Sequence, residues 1–205
     1  MRKDTYLKFD AIAPAFQEYL RRTVTLFGAE SCGKTTMAYL LSQNGNGHFV
    51  PEWAREYLET VGTEITDDAM QTICEGQYAS QMAAKKLIDK AFIFQDTDLY
   101  STLGYYRLWN NAKIPDMLNY WANTTKSDLY IVMNDKIPFE PDPLRYGGTV
   151  RESTMDFWID ILKEFNCNYY VVKSTNKYKQ YEEVVKVVID LFDDFVKPLR
   201  EFKRT

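Results

Sequence analysis

The sequence predicts an α/β protein with a central parallel five-stranded sheet, helices on both faces and a lid loop. Three observations carry this expectation. Short apolar or β-branched runs alternate with stretches of helical spacing, as in successive βαβ units. The first run ends in a glycine-rich turn that opens a helix. A later run ends on an acid where its strand would leave the sheet.

The elements follow in order along the chain. Thr23–Phe27 is the first strand and ends at Gly28. A helix from Gly33 to about Ser42 carries Met37, Leu40 and Leu41 at helical spacing, and Asn44-Gly45-Asn46-Gly47 stops it. His48-Phe49-Val50 is the second strand, closed by Pro51. A helix then runs from Trp53 to Val61 and ends at Gly62. Thr66 caps the next helix, with Asp67 and Asp68 favourable in its first turn. That helix is expected to reach Asp89 and to bury Ala69, Met70, Ile73, Met82 and Leu87.

Ala91–Phe94 is the third strand, and polar Gln95-Asp96-Thr97-Asp98 follows at once. Helices are expected over Leu99–Leu108 and Pro115–Ala122, then a fourth strand over Leu129–Met133. Residues 136–151 contain Pro138, Pro141, Pro143 and Gly147-Gly148, too much punctuation for a regular element, so they read as a lid loop. The helix after it should bury Phe157, Ile161, Leu162 and Phe165. Tyr169–Val172 is the fifth strand, and a last helix near Tyr181–Val196 presents Val184, Val188, Leu191 and Phe195. The expected organisation is an extension over 1–22, one domain over 23–198 and a tail over 199–205.

Composition narrows the function classes. In 205 residues, 25 Lys and Arg stand against 29 Asp and Glu, a net charge of −4 that disfavours a nucleic-acid coat or a polybasic membrane binder. No apolar run approaches the roughly 18 residues of a membrane span, and the N-terminus has no apolar stretch of a secretory signal. A cytoplasmic setting follows, with neither nucleic acid nor membrane as partner. Cys32, Cys74 and Cys167 are far apart and form no C-x-x-C pair, which argues against a disulfide framework or a thiolate zinc site. His48 is the sole histidine and there is no G-x-S-x-G elbow, so a Ser-His-Asp hydrolase is disfavoured.

The strongest local signal is Gly28-Ala29-Glu30-Ser31-Cys32-Gly33-Lys34-Thr35-Thr36, which fits G-x-x-x-x-G-K-[ST] without mismatch. Glycines let the chain curl so that backbone N–H groups point at phosphate oxygens, and the helix start adds its positive dipole end. Lys34 should reach the β- and γ-phosphates of ATP, and the Thr35 hydroxyl should hold Mg²⁺. Such a site needs an acid from a neighbouring strand, and Asp96 supplies it. If the extended conformation persists, Asp98 points to the same side; otherwise Asp96 caps the next helix and Asp98 faces solvent.

Parallel strands deliver their carboxyl ends to one ligand crevice. Glu52 therefore stands where an acceptor hydroxyl would lie, with Arg55 one turn along. Trp53 and Tyr57 share a helix face at i, i+4, either for a ligand or packed on the sheet. In the lid, Arg145 and Arg151 could close over a transferred phosphoryl group, or be ordinary surface arginines.

These residues carry a resemblance. The chain is similar to the nicotinamide riboside kinase domain of the bifunctional NAD-biosynthesis proteins of the NadR type. The likeness rests on R-T-V-T-L-F-G-A-E-S-C-G-K-T-T, P-E-W-A-R-E-Y, F-I-F-Q-D-T-D and D-P-L-R in that order, and covers roughly Arg22 to Val196. It departs in two places. Only about 22 residues precede the first strand, so the adenylyltransferase half is expected to be absent, and Pro143 stands where glycine is expected. The resemblance implies transfer of the ATP γ-phosphate to the 5′-hydroxyl of nicotinamide riboside. Lys34, Glu52, Asp96, Arg145 and Arg151 would be catalytic, Thr35 and Asp96 would hold the metal, and Glu52, Trp53, Arg55, Tyr57 and Asp98 would bind the acceptor. Trp53, Tyr57, Tyr100, Tyr105 and Trp109 are the candidate rings for its cationic base. Another nucleoside or nucleotide kinase, or a non-catalytic ATP-sensing module, would share the phosphate loop.

Overall fold

The computed structural model describes Phe9 and residues 12–44, 47–86, 90–109, 114–140 and 153–201, the side chains of Trp109 and residues 192–201 excepted. Five strands, β1 (Arg22–Phe27), β2 (Gly47–Val50), β3 (Phe92–Asp96), β4 (Leu129–Val132) and β5 (Tyr169–Val171), form one sheet in the order β2-β3-β1-β4-β5. Every pairing is parallel, as expected. Among the described residues eight helices connect and flank them: α1 (Pro14–Leu20), α2 (Lys34–Asn44), α3 (Trp53–Val61), α4 (Asp67–Lys85), α5 (Leu99–Trp109), α6 (Asp116–Thr124), α7 (Met155–Glu164) and α8 (Lys177–Glu201).

The alternation of side chains along β1 splits the core between the two faces of the sheet. Val24 and Leu26 join Met37, Ala38 and Leu41 of α2 and Val184 and Val188 of α8 on one face. Phe27 faces the other way, among Met70 of α4, Leu99 and Leu103 of α5, Leu118 of α6 and Trp158 of α7. Phe27 and Trp158 meet edge to face at 5.4 Å between ring centroids.

Several expectations change in detail. β3 runs two residues further than expected, because Gln95 is accommodated inside the sheet layer. Its Nε2 donates to Thr25 Oγ1 at 3.1 Å and to Ser127 Oγ at 2.9 Å, which offsets the cost of burying an amide. On α4 the buried stripe includes Gln77 and Gln81 alongside Ala69, Met70 and Ile73, whereas Met82 is half-buried and Leu87 lies outside the described residues. On α7 it is Trp158 that is fully buried, and Phe157 and Phe165 are only partly so. Phe195 belongs to the side chains not described, and α8 continues to Glu201.

The N-terminal segment contributes to the core. Pro14 opens α1, where its missing N–H costs nothing. Phe9 and Leu20 pack into the same cluster as Val24 and Leu26. Arg21 anchors the junction, donating to Lys85 O at 2.6 Å and Lys90 O at 3.1 Å. Among the described residues no helix is long and apolar enough to cross a membrane.

Candidate active site

The turn after β1 is shaped by three residues in the left-handed region: Gly28 at φ 120°, Ser31 at φ 54° and Gly33 at φ 87°. At Gly28 a side chain would be strained by the backbone and would also stand 3.4 Å from the Met133 carbonyl oxygen. The curl turns Ala29 O inward, where it accepts from Cys32 Sγ at 2.9 Å and from Lys34 Nζ at 2.6 Å. Lys34 Nζ also donates to Gly28 O at 3.0 Å. The lysine thus lies along its own loop, held by carbonyl oxygens that a phosphate would replace as its partners.

Pairing of Leu26 with Asp96 sets the end of β3 beside the start of this turn. Thr35, on the first turn of α2, donates from Oγ1 to Asp96 Oδ2 at 2.5 Å. The two oxygens expected to hold a metal are therefore brought together. They are hard donors of the type Mg²⁺ takes, and that ion normally keeps one or two protein oxygens beside phosphates and water. Among the described residues no three His, Cys, Asp or Glu side chains converge.

Two clefts open from the turn. One runs over Ser31 to Met37 and is walled by Ile137, Pro138 and Glu140 after β4 and by Lys177 and Tyr181 of α8. Glu140 N donates to Ser31 Oγ at 2.8 Å, closing that wall on the loop. The other lies between α3, α4 and α5, with Arg55, Gln77, Thr97, Ser101 and Tyr105 among its lining and Glu30 at its loop end. Lys34 and Glu52 line both, so the clefts meet at these two side chains.

The expected acceptor residues divide. Glu52 and Arg55 reach the second cleft, and Arg55 also stands 4.0 Å from Glu59 one turn along α3. Trp53 does not line it. Its indole packs on Gly76 of α4, where a Cβ would collide with Nε1, and its backbone N–H donates to Gln77 Oε1 at 3.0 Å. Tyr57 is half-buried on α3 and is not part of the lining either. Tyr105 is the candidate ring that does line the cleft, and Tyr100 is fully buried in the core. The Trp109 side chain, Arg145, Arg151 and the D-P-L-R stretch with Pro143 lie outside the described residues.

Asp98 is also elsewhere than expected. Thr97 adopts φ 66°, so the extended chain ends there and Asp98 turns into the protein. Its Oδ1 caps α5 by accepting from Tyr100 N at 3.0 Å and Ser101 N at 3.4 Å, and its Oδ2 accepts from Tyr130 Oη at 2.7 Å. Burial pushes its carboxyl up to about 6, against the opposing pull of these three donors. The carboxylate thus holds the start of α5, whose Ser101, Thr102 and Tyr105 form one wall of the cleft.

Other contributors were not anticipated. Glu30 was expected only as part of the phosphate cradle, yet its Oε2 accepts from Ser153 Oγ at 2.9 Å, and Ser153 Oγ accepts from Trp158 Nε1 at 2.8 Å. Met155 N donates to Asp135 Oδ2 at 2.8 Å, so the start of α7 is tied to the turn after β4. Gln77 carried a usable signal, being a polar residue in the apolar stripe of α4 seven positions after Met70.

The sheet order, the glycine-rich turn and the Thr35–Asp96 pair define a P-loop protein with a kinase-like fold. The chain belongs to the AAA domain family, which matches residues 23–180. It is similar to the trifunctional NAD biosynthesis/regulator protein NadR of Salmonella typhimurium, 23% identical over 202 residues that cover 95% of this chain and 48% of that protein. The chain thus spans about half the length of that relative and of its Escherichia coli counterpart. Among solved structures, NadR in complex with NR superposes with a TM-score of 0.69 at 21% identity, covering 89% of this chain and 53% of that one. NadR with NAD and AMP-PNP gives 0.67 at 23% identity, covering 90% and 52%. Thymidylate kinase of Ehrlichia chaffeensis gives 0.56 at 18% identity, covering 82% and 98%. The likeness to NadR-type proteins read from the motifs therefore extends over most of the chain.

Proposed function

We propose that this protein transfers the γ-phosphoryl group of ATP to the 5′-hydroxyl of nicotinamide riboside, giving nicotinamide mononucleotide and ADP. The observation that carries the proposal is the meeting of two clefts at Lys34 and Glu52. One cleft lies along the phosphate loop and suits a nucleotide. The other lies between α3, α4 and α5 beyond Lys34 and Glu52 and suits an acceptor. Glu30 and Glu52 line the acceptor cleft beside Lys34 and Arg55, and Tyr105 offers a ring face to a cationic pyridinium base. The likeness to NadR, solved with NR and with AMP-PNP, supports the same pair of ligands.

In this reading Lys34 leaves the carbonyl oxygens of Gly28 and Ala29 for the β- and γ-phosphates. Thr35 and Asp96 hold Mg²⁺, whose contribution is to neutralise phosphate charge. Glu52 orients the acceptor hydroxyl and takes its proton as the oxygen–phosphorus bond forms and the bond to the β-phosphate breaks. Arg55 sits beside it in the cleft. Arg145 and Arg151 retain the role of closing cations proposed from their sequence setting. Positioning and charge neutralisation supply most of the rate in such a transfer, so no strong base is needed.

A coupled ADP assay with ATP, Mg²⁺ and a panel of nucleosides and nucleoside monophosphates tests this. Turnover is expected with nicotinamide riboside. Turnover with thymidine or a monophosphate and none above buffer with nicotinamide riboside would assign the cleft to a different acceptor. ATP binding without turnover on any member of the panel would instead indicate a sensing module.

A further inference from the structure

The acceptor cleft contains two polar atoms that no group described above answers. Gln77 is 2% exposed and Ser101 is 3% exposed, and both line the cleft, from α4 and α5 respectively. Gln77 Oε1 accepts from the backbone N–H of Trp53 at 3.0 Å. That donor fixes which way the amide points, because only the carbonyl end can accept. Its Nε2 is left buried without a hydrogen-bond partner. Ser101 is held at the start of α5 through its backbone N–H on Asp98, and its Oγ is likewise buried without a partner. A buried polar group left unsatisfied costs about 1–3 kcal/mol, and native proteins keep few of them. Among the described residues lining this cleft, Gln77 and Ser101 are the ones that keep such an atom, one on α4 and one on α5.

The chemistry of the pair describes that ligand. Gln77 Nε2 is a donor only, and a serine hydroxyl both donates and accepts. A planar group with an acceptor oxygen next to an N–H donor matches them, and a carboxamide is such a group. We propose that Gln77 and Ser101 form the specificity subsite for a carboxamide on the base of the acceptor, an inference that rests on the kinase reading above. Gln77 Nε2 donates to the carboxamide oxygen, and Ser101 Oγ accepts from its N–H. Tyr105, one turn beyond Ser101 on the same wall, offers a ring beside the base. A site built around such bonds rejects an analogue lacking the group, because its buried atoms are then left unpaired.

The test compares kcat/KM for nicotinamide riboside and for the same pyridinium riboside without the carboxamide, in the wild type, Ser101→Ala and Gln77→Glu. Gln77→Glu keeps an oxygen for the Trp53 amide while removing the donor, and Ser101→Ala removes only a hydroxyl. The wild type should favour the carboxamide roughly tenfold or more. Each variant should cut that preference by about fivefold or more, mainly through KM. A wild type that phosphorylates both ribosides equally, or two variants that retain its full preference, would overturn the subsite while leaving the kinase reading intact. If neither riboside yields ADP, the nicotinamide riboside reading falls, and the subsite with it.

Discussion

The Thr35 hydroxyl and the Asp96 carboxylate are joined across 2.5 Å, linking the first turn of α2 to the last residue of β3. Each belongs to a different βα connection, and parallel pairing of β1 with β3 puts them at one edge of the sheet. The proposed mechanism gives them one metal ion to hold, so their contributions to rate should not add. Thr35→Ala and Asp96→Asn are each expected to lower kcat/KM on the order of 100-fold, with the double variant little worse than the weaker single one. Raising Mg²⁺ should rescue part of the loss in Thr35→Ala. A fully additive double variant would place the two on separate tasks.

Lys34→Ala should lower turnover by roughly 100- to 1,000-fold or more, the usual scale for losing one preorganised donor to transferring charge. The hydrogen bonds it gives up go to the Gly28 and Ala29 carbonyls of its own loop and tie no other element, so the fold should persist. Coupled ADP release and circular dichroism measured on the same sample check both halves of this outcome.

Asp98 makes stability depend on pH in a direction opposite to that of a salt-bridged carboxylate. Its folded value of about 6 lies above the ordinary 3.8, so between those values the folded protein holds a proton that the unfolded chain has released. Stability from this group is greatest below the lower value and falls as pH rises through the window, by at most about 1.4 kcal/mol per pH unit. Asp98→Asn should remove that component, and the difference in Tm between wild type and variant should change with pH across the window and level off above it. A constant difference from acid to neutral pH would contradict the assignment.

Gly76→Ala should destabilise the protein although alanine favours a helix. The added Cβ would collide with the Trp53 indole, a rigid ring held between α3 and α4. Overpacking of this kind costs about 1–3 kcal/mol, against a propensity gain of about 1 kcal/mol. Because α3 carries Glu52 at its start and Arg55, thermal unfolding and acceptor KM should shift together.

The parts of the molecule readable from sequence were those encoded locally. Thr23-Val24-Thr25-Leu26-Phe27 followed by the glycine turn marks a strand and its loop within a dozen residues, and the Thr35–Asp96 pairing follows from the parallel rule. The features missed depend on distant partners. Gln95 looked like the end of a strand because Thr25 and Ser127, which hold it inside, lie 70 and 32 residues away. α1 escaped notice because its two buried side chains, Gln17 and Leu20, make no apolar stripe. Trp53 reads equally well as a ligand-facing ring or a packed one, and the choice is made by the absence of a side chain at Gly76 on another helix. The position of Asp98 followed from extrapolating an extended chain through Thr97, whose φ of 66° a β-branched residue rarely adopts.

That single left-handed threonine gives the D-T-D stretch a division of labour. The acid before it meets the Thr35 hydroxyl at the start of α2, and the acid after it caps α5. Chemistry and architecture are thereby placed two residues apart yet answer to different neighbours, so one can be retuned without disturbing the other. Reshaping α5 through its cap would leave the contact between Thr35 and Asp96 where it is.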